Sequence, residues 1–260
     1  MDARLPVSVL LLARDETRRI EALIPALAFA REVVVIWDPR GSEETRGAAE
    51  RLGARVFVRE FESFGAQRQF ALAQCRETWV LWIDADEWPD GTAVAALGRL
   101  ASHPEVQEGG FALERRTYFL GRRIRFCGWR GEAVVRVFRR ASARFDDAPV
   151  HERVLVEGRV GRLAGVLEHH SYAGWDDCVR KLTRYAQAGA RKARRAGRRA
   201  GPLDVLLRPP LRFVRMYVLQ LGFLDGFHGL LLCALATAQV FLKYGELWAS
   251  RDDRTPPESR

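Results

Sequence analysis

Residues 79–90 read WVLWIDADEWPD: five apolar residues, then Asp84 and Asp86 one residue apart, then Glu87. An apolar run of this kind is a buried strand, as in a sheet covered on both faces. Strand alternation places Asp84 and Asp86 on one side, at the carboxyl end, where open α/β sheets take their ligands. Two hard oxygen ligands there suit a divalent cation that holds a diphosphate. The same acids also suit the start of a helix near Pro89, where the dipole favours negative charge. An Asp-x-Asp arises by chance in a chain of this length, so its surroundings decide between the two.

Upstream, apolar runs and helical patterns alternate. A strand is expected at 7–13, a helix through Leu23, Leu27 and Phe29, and a strand at 33–37. A polar turn at 38–42 leads to a helix reaching Leu52. A strand at 55–59, a helix at 67–75 and the strand at 79–83 complete the series. Strands spaced by helices predict a parallel sheet. No Gly-x-Gly-x-x-Gly follows the first strand, which argues against a dinucleotide-binding oxidoreductase. Beyond Pro104, short strands at 109–118, 122–126, 133–138 and 154–160 predict a mixed sheet added to the first half. A helix is expected from Asp176.

The 260 residues are 48% hydrophobic and carry a net charge of +9, which excludes general disorder and points to an anionic partner. Residues 179–215 hold twelve Lys or Arg against one acid, Asp204, and RKARRAGRR at 191–199 is the densest part. The four cysteines are widely spaced with no Cys-x-x-Cys pair, which fits a reducing cytosol. The N-terminal apolar run stops at Arg14 without a cleavage region and is expected to be the first strand, not a signal peptide. Near the C-terminus, Pro209 and Pro210 are expected to end one helical segment. The apolar run 230–242 is thirteen residues, short of the roughly twenty a bilayer span needs. An interfacial helix is the expectation, with a helical hairpin folded back on the α/β domain as the alternative. The adjoining basic block would be drawn to anionic lipid.

In order along the chain, VSVLLLARDE, VVVIWDPRGSEET, FGAQRQFAL, DADE and CGWRGEAVVRVFRR resemble the conserved segments of family 2 glycosyltransferases of GT-A fold. DAPVHERV, LEHHSY, RKLTRYAQ and LGFLDGFHGLL extend the likeness, most closely to the bacterial lipopolysaccharide core branch that adds a hexose to inner-core heptose. Three positions depart from the family pattern: Asp15 stands for Asn, Gln69 for Asn and Glu132 for Asp.

The resemblance implies an α/β GT-A fold with a mixed sheet over residues 1–175 and a basic, apolar helical extension over 176–260. It implies inverting transfer of a hexose from a nucleotide-sugar such as UDP-glucose to a lipid-linked glycan, with Mg²⁺ or Mn²⁺ as cofactor. The expected location is cytoplasmic, peripheral on the inner membrane. Asp86 is the expected metal ligand, with His169 or His151 joining it, and Asp84 lies nearer the ribose or donor sugar. The expected donor set is Ala13, Asp15, Glu16, Asp38, Arg68, Gln69, Asp84 and Ala85. Glu132 is the expected base, with Glu87 in reserve, because a sugar hydroxyl needs a carboxylate to take its proton. Trp129, Arg136 and Arg139 are expected toward acceptor and phosphates.

Each role has a structural alternative. Asp38 before Pro39 can simply start a turn, Asp15 and Glu16 can cap a helix, and Arg68 can be a solvated helix-face residue. Glu132 can be a solvent-facing turn acid, Trp129 a core residue and either histidine a packed one. Among other functions, a polyprenyl-phosphate or other envelope-glycan transferase fits the same residues. A nucleotidyltransferase would want a Gly-rich loop after the first strand, and LLARDETRR has none. A nucleic-acid-binding protein fits the charge but shows no recognizable binding motif, so no nucleic-acid partner is expected.

Overall fold

The structure is a computed structural model and describes residues 4–103, 105–129, 131–146, 153–172 and 174–250. Strand β1 (Leu5–Ala13), helix α1 (Thr17–Ala26), β2 (Ala30–Trp37), α2 (Glu43–Arg51), β3 (Arg55–Val58), α3 (Phe64–Gln74) and β4 (Trp79–Trp82) form the expected alternating series. Then come β5 (Glu87–Pro89), α4 (Gly91–Ala101), β6 (Gly110–Phe119), β7 (Arg122–Arg123), β8 (Glu132–Arg139), β9 (Ala143–Phe145), β10 (Val154–Val156) and β11 (Val160–His170). Three helices close the chain: α5 (Trp175–Arg195), α6 (Pro202–Val214) and α7 (Gly226–Ala249).

The main sheet runs β3-β2-β1-β4-β8-β6-β11-β5, with β7 paired to β6, while β9 and β10 form a separate pair. β1 pairs in parallel with β2 and β4, and β2 with β3; β8 joins β4 antiparallel. The fold is therefore a mixed α/β sheet, parallel over β3-β2-β1-β4 and antiparallel where β8 joins. Alternate residues of the central strands enter two cores. Val7, Val9, Leu11, Val35 and Leu81 face one, with α1 and α4; Leu10, Val34, Ile36, Val80 and Trp82 face the other, with α3. Burial on both faces is why these strands read as unbroken apolar runs.

Strand β11 has weak sequence pattern, because exposed and half-buried residues alternate over most of its length. It is seated by Gly165, whose φ is +99° and where a Cβ would lie 2.2 Å from the backbone nitrogen of Ala93. Only glycine fits that approach. β11 then pairs antiparallel with β5, bringing His169 opposite Glu87.

The chain divides into two compact units, residues 1–116 with 132–169, and residues 117–131 with 170–260. In the second, α7 packs against both α5 and α6. Pro209 and Pro210 do not end a segment: both lie inside α6. Packing along α7 keeps the helix going despite the lost donors, and the backbone widens to a π-helical turn at Arg215–Leu219 just beyond. The helix around the 230–242 run is also longer than the run itself. Residues 222–249 are long and apolar enough to cross a membrane by length and composition, with a mean hydropathy of 1.4 in their most apolar window.

Candidate active site

Three adjacent parallel strands end together, and the loops that follow carry most of the candidate donor residues. Pairing in β4 stops at Trp82, and Ile83 donates one further backbone bond to Leu10 at 3.2 Å. The acids that follow therefore sit in a turn, and strand alternation does not govern them. The turn is closed reciprocally: Glu87 N donates to Asp84 O (3.0 Å) and Asp84 N to Glu87 Oε2 (3.1 Å). Asp84 and Asp86 consequently turn to different partners.

Asp84 is held by two arginines. Arg68 Nη2 lies 3.2 Å from its Oδ1 and Arg136 Nη2 3.0 Å from its Oδ2. Both guanidiniums stack on Trp82, at 4.4 and 4.0 Å from the ring centre. Arg136 Nη2 also reaches Glu87 Oε1 at 2.7 Å. Arg68 is buried, which removes the solvated-helix alternative, whereas the Asp84 side chain remains 37% exposed. Burial pushes the Asp84 carboxyl up, but Arg136 and Arg68 outweigh it and hold the group below the usual carboxylate range. Glu87 has no exposed surface, and burial drives its carboxyl above the ordinary value in spite of Arg136.

Asp86 faces the other way. Its Oδ1 is 3.6 Å from His169 Nε2, and its Oδ2 is 3.5 Å from Arg19 Nη1. A carboxylate and an imidazole 3.6 Å apart fit two positions around a divalent cation with bonds of about 2.0–2.2 Å. Among the described residues no group of three or more His, Cys, Asp and Glu gathers to hold a metal. The candidate is thus an open, two-ligand site, the kind a Mg²⁺-like ion completes with phosphate oxygens and water. The helix-capping alternative for these acids does not hold: Asp90 caps α4, accepting from Ala93 N at 2.8 Å.

At the ends of β1 and β2, Asp38 N donates to Ala13 O (3.1 Å), and the buried Asp38 carboxylate takes two bonds from Arg40 at 3.0 and 2.9 Å. Those bonds hold its carboxyl below the usual range. Asp38 also starts the turn to Gly41. Asp15 Oδ1 accepts from Ser42 N (2.8 Å), and Glu16 Oε2 accepts from Arg14 N (2.5 Å) and Asp15 N. Asp15 therefore ties the loop after β1 to the loop after β2, Glu16 folds back on its own loop, and neither makes a side-chain cap for α1. Ala85 is buried in the acidic turn.

The remaining expected residues have varied partners. Gln69 Oε1 accepts from Phe145 N at 2.8 Å, so this side chain anchors β9. Arg139 donates to Glu108 O and Val106 O and stacks on Trp79 at 4.5 Å, tying down the segment before β6. Arg136 is a buried clamp. Trp129 packs against the apolar core of the second unit. Glu132 is exposed and pairs with Arg115 Nη2 at 2.9 Å; Arg115 Nη1 is also 3.7 Å from Glu87. His151 and Glu152 lie outside the described residues. Sequence reasoning missed Arg19 and Arg115. Arg115 sits opposite Glu132 in the β6–β8 register, a pairing that emerges only once the strands are aligned.

An arginine-clamped acidic turn thus sits at the carboxyl ends of the parallel strands, and comparison with known proteins gives the class, the glycosyl-transferring enzymes. Residues 10–124 match the family model described as Glycosyl transferase family 2, so this part of the chain carries a domain of that kind. The chain is 26% identical over 262 residues, 94% of this chain and 95% of the relative, to the lipopolysaccharide core biosynthesis glycosyltransferase LpsC of Rhizobium meliloti. An uncharacterized glycosyltransferase of Rickettsia typhi is 21% identical over 93% of this chain and 86% of its own. Among solved structures, glucosyl-3-phosphoglycerate synthase from Mycobacterium tuberculosis, in complex with Mn²⁺, UDP and phosphoglyceric acid, aligns with a TM-score of 0.34. The identity is 22%, over 44% of this chain and 43% of that one. A second mycobacterial protein aligns with a TM-score of 0.39 and 16% identity, over 66% and 69% of the two chains.

Proposed function

We propose that the protein is an inverting, cation-assisted glycosyltransferase that moves a hexose from a nucleotide-sugar, UDP-glucose foremost, to a hydroxyl of a lipid-linked glycan of the lipopolysaccharide inner core. The observation that carries the reading is the split role of the acidic turn. Asp84 is fixed by two arginines, while Asp86 stands beside His169 as an open ligand pair. A divalent cation bound there supplies positive charge for the diphosphate that departs.

The chain's own residues supply the rest. Asp84 is locked in one orientation and still part-exposed, so it accepts from hydroxyls of the ribose or donor sugar. Asp38, Asp15 and Glu16 form the wall for the nucleoside at the ends of β1 and β2, with Ala13 and Ala85 as backbone neighbours. Glu132 takes the proton of the acceptor hydroxyl as its oxygen bonds to the anomeric carbon. The bond from that carbon to the β-phosphate oxygen breaks, and the nucleoside diphosphate carries away the electron pair. Entry of the nucleophile opposite the leaving group inverts the centre.

The second unit suits a location on the cytoplasmic face of the inner membrane. On α6, Leu203, Leu206, Leu207, Leu211 and Val214 are exposed at helical spacing, and Val218 continues the stripe. Such a face lies in the lipid interface, with basic side chains beside it.

The test is a panel of nucleotide-sugars with and without Mg²⁺ or Mn²⁺, followed by release of nucleoside diphosphate and by calorimetry on wild type and Asp86→Ala. Metal-dependent donor binding in the wild type, lost in the variant, is the expected result. Equal binding by both proteins, or release of pyrophosphate in place of nucleoside diphosphate, would overturn the reading.

A further inference from the structure

A second charged cavity lies wholly within the second unit, with a volume of about 300 Å³ and a lining of Arg122, Arg123, Arg125, Phe126, Leu224 and Asp225. Three arginines and one aspartate line it. The carboxylate is already engaged: buried Asp225 accepts from the backbone nitrogens of Arg125 (3.0 Å) and Phe126 (2.8 Å). It pins the chain that presents Arg122 and Arg125 through backbone nitrogens and, among the described residues, leaves those two side chains uncommitted. Arg122 and Arg125 are exposed, and among the described residues neither meets a carboxylate. A surplus of guanidinium charge in a concave site is the chemistry of phosphate recognition.

The backbone around the cavity is strained. The non-glycine residues with left-handed φ among those described are Leu120 (+47°), Cys127 (+58°) and Leu221 (+56°). The first two bracket the arginine segment, and the third opens the turn that carries Leu224 and Asp225. Such conformations persist only where the surrounding structure over-determines them, and they cluster at ligand clamps. The margin is apolar: Leu224 is 53% exposed, with Leu219 at 74% and Phe227 at 72% close by in the chain. A free phosphate ion has no use for that margin. A phosphodiester carrying acyl chains uses both halves.

We propose that this cavity binds the phosphate of an anionic phospholipid headgroup, while the apolar turn around Leu219, Leu224 and Phe227 enters the acyl layer. The site deepens the membrane-surface reading of the second unit and rests on it. It would dock the enzyme at a defined point, which diffuse charge on α5 alone would not do.

The test uses the full chain and water-soluble dihexanoylphosphatidylglycerol below its micellar concentration, followed by calorimetry. Saturable one-site binding is expected, weakened about tenfold or more in R122Q/R125Q. The equal-charge control R198Q/R199Q should stay within about twofold, since those side chains lie outside the cavity. Dihexanoylphosphatidylcholine and inorganic phosphate should each bind about tenfold more weakly than the anionic lipid. Three results would overturn the site: unchanged affinity in R122Q/R125Q, an equal loss in R198Q/R199Q, or inorganic phosphate binding as tightly as lipid. Flotation of the wild type on phosphatidylglycerol vesicles separates the two levels of failure. A chain that does not float removes the membrane reading and the site with it; a chain that floats but fails the calorimetric arms removes the site alone.

Discussion

Arg136 Nη2 lies 2.7 Å from Glu87 Oε1, with 4% of the arginine side chain and none of the glutamate side chain exposed. The same nitrogen reaches Asp84 at 3.0 Å, and the guanidinium lies 4.0 Å from the centre of the Trp82 ring. One buried cation thus fixes both ends of the acidic turn. Arg68, from the opposite side of Asp84, balances the second carboxylate. A pair so enclosed gives little net stability when intact, because desolvation offsets attraction, but removing one partner leaves a buried charge without its counterion.

Arg136→Met should therefore destabilise the chain by about 3–5 kcal/mol. Glu87→Gln should cost less, because burial already disfavours the ionised form of Glu87 and the amide retains the shape and an acceptor for Arg136. Urea denaturation of the two variants checks the order. A larger loss in Glu87→Gln would mean that the glutamate charge, not the arginine, organises the turn.

The acid limb of stability follows from Asp84 and Asp38, both held below the ordinary carboxylate value, the first by Arg136 and Arg68 against burial and the second by Arg40. A depressed folded-state value means that each contributes stability above the unfolded value of about 3.9, lost as pH falls through the folded value. Glu87 has the opposite sign: its contribution is present below its unfolded value and lost as pH rises through the folded one. Asp84→Asn should flatten the decline below about pH 4. Thermal melts across pH 2–7, as an approximate range, measure it, and an unaltered acid limb would count against the two-arginine clamp.

Much of the first half was legible because parallel strands covered on both faces leave apolar runs that no surface element imitates. β1, β2, β3, α3 and β4 fall where those runs predict. The ligand side of the turn was less legible. Strand alternation put Asp84 and Asp86 together, yet pairing ends at Trp82 and the turn sends them apart. Arg136 lies 52 residues from Asp84 in sequence, and a buried arginine looks like a surface one until the strands are aligned. Gln69 and Arg139 stood in suggestive positions but satisfy backbone atoms of neighbouring segments. The helical region misled for a different reason: proline rules describe isolated helices, and α6 is held along α7.

Glu132 is exposed, and among the described residues its side chain pairs with Arg115, so its replacement should leave the fold intact. Glu132→Gln should lower kcat by about 10²–10⁴, the usual worth of a positioned general base, with donor affinity within about twofold. Steady-state kinetics with calorimetric donor binding read both quantities. A parallel loss of donor binding would move Glu132 from acceptor activation to donor contact.

The exposed stripe on α6 yields the last prediction. Leu203, Leu207 and Leu211 are 68%, 50% and 65% exposed, and a leucine side chain fully buried in an apolar phase is worth about 1.5–3 kcal/mol. Replacing all three with serine should cut partition onto anionic vesicles by about a hundredfold or more, allowing for incomplete burial at an interface. Transfer to a soluble, delipidated acceptor should be spared, because the stripe carries none of the acidic-turn residues. Vesicle flotation and nucleoside diphosphate release, read on the same preparations, make the comparison. If activity on the soluble acceptor falls in step with partition, the stripe supports the fold of the second unit and is not its membrane face.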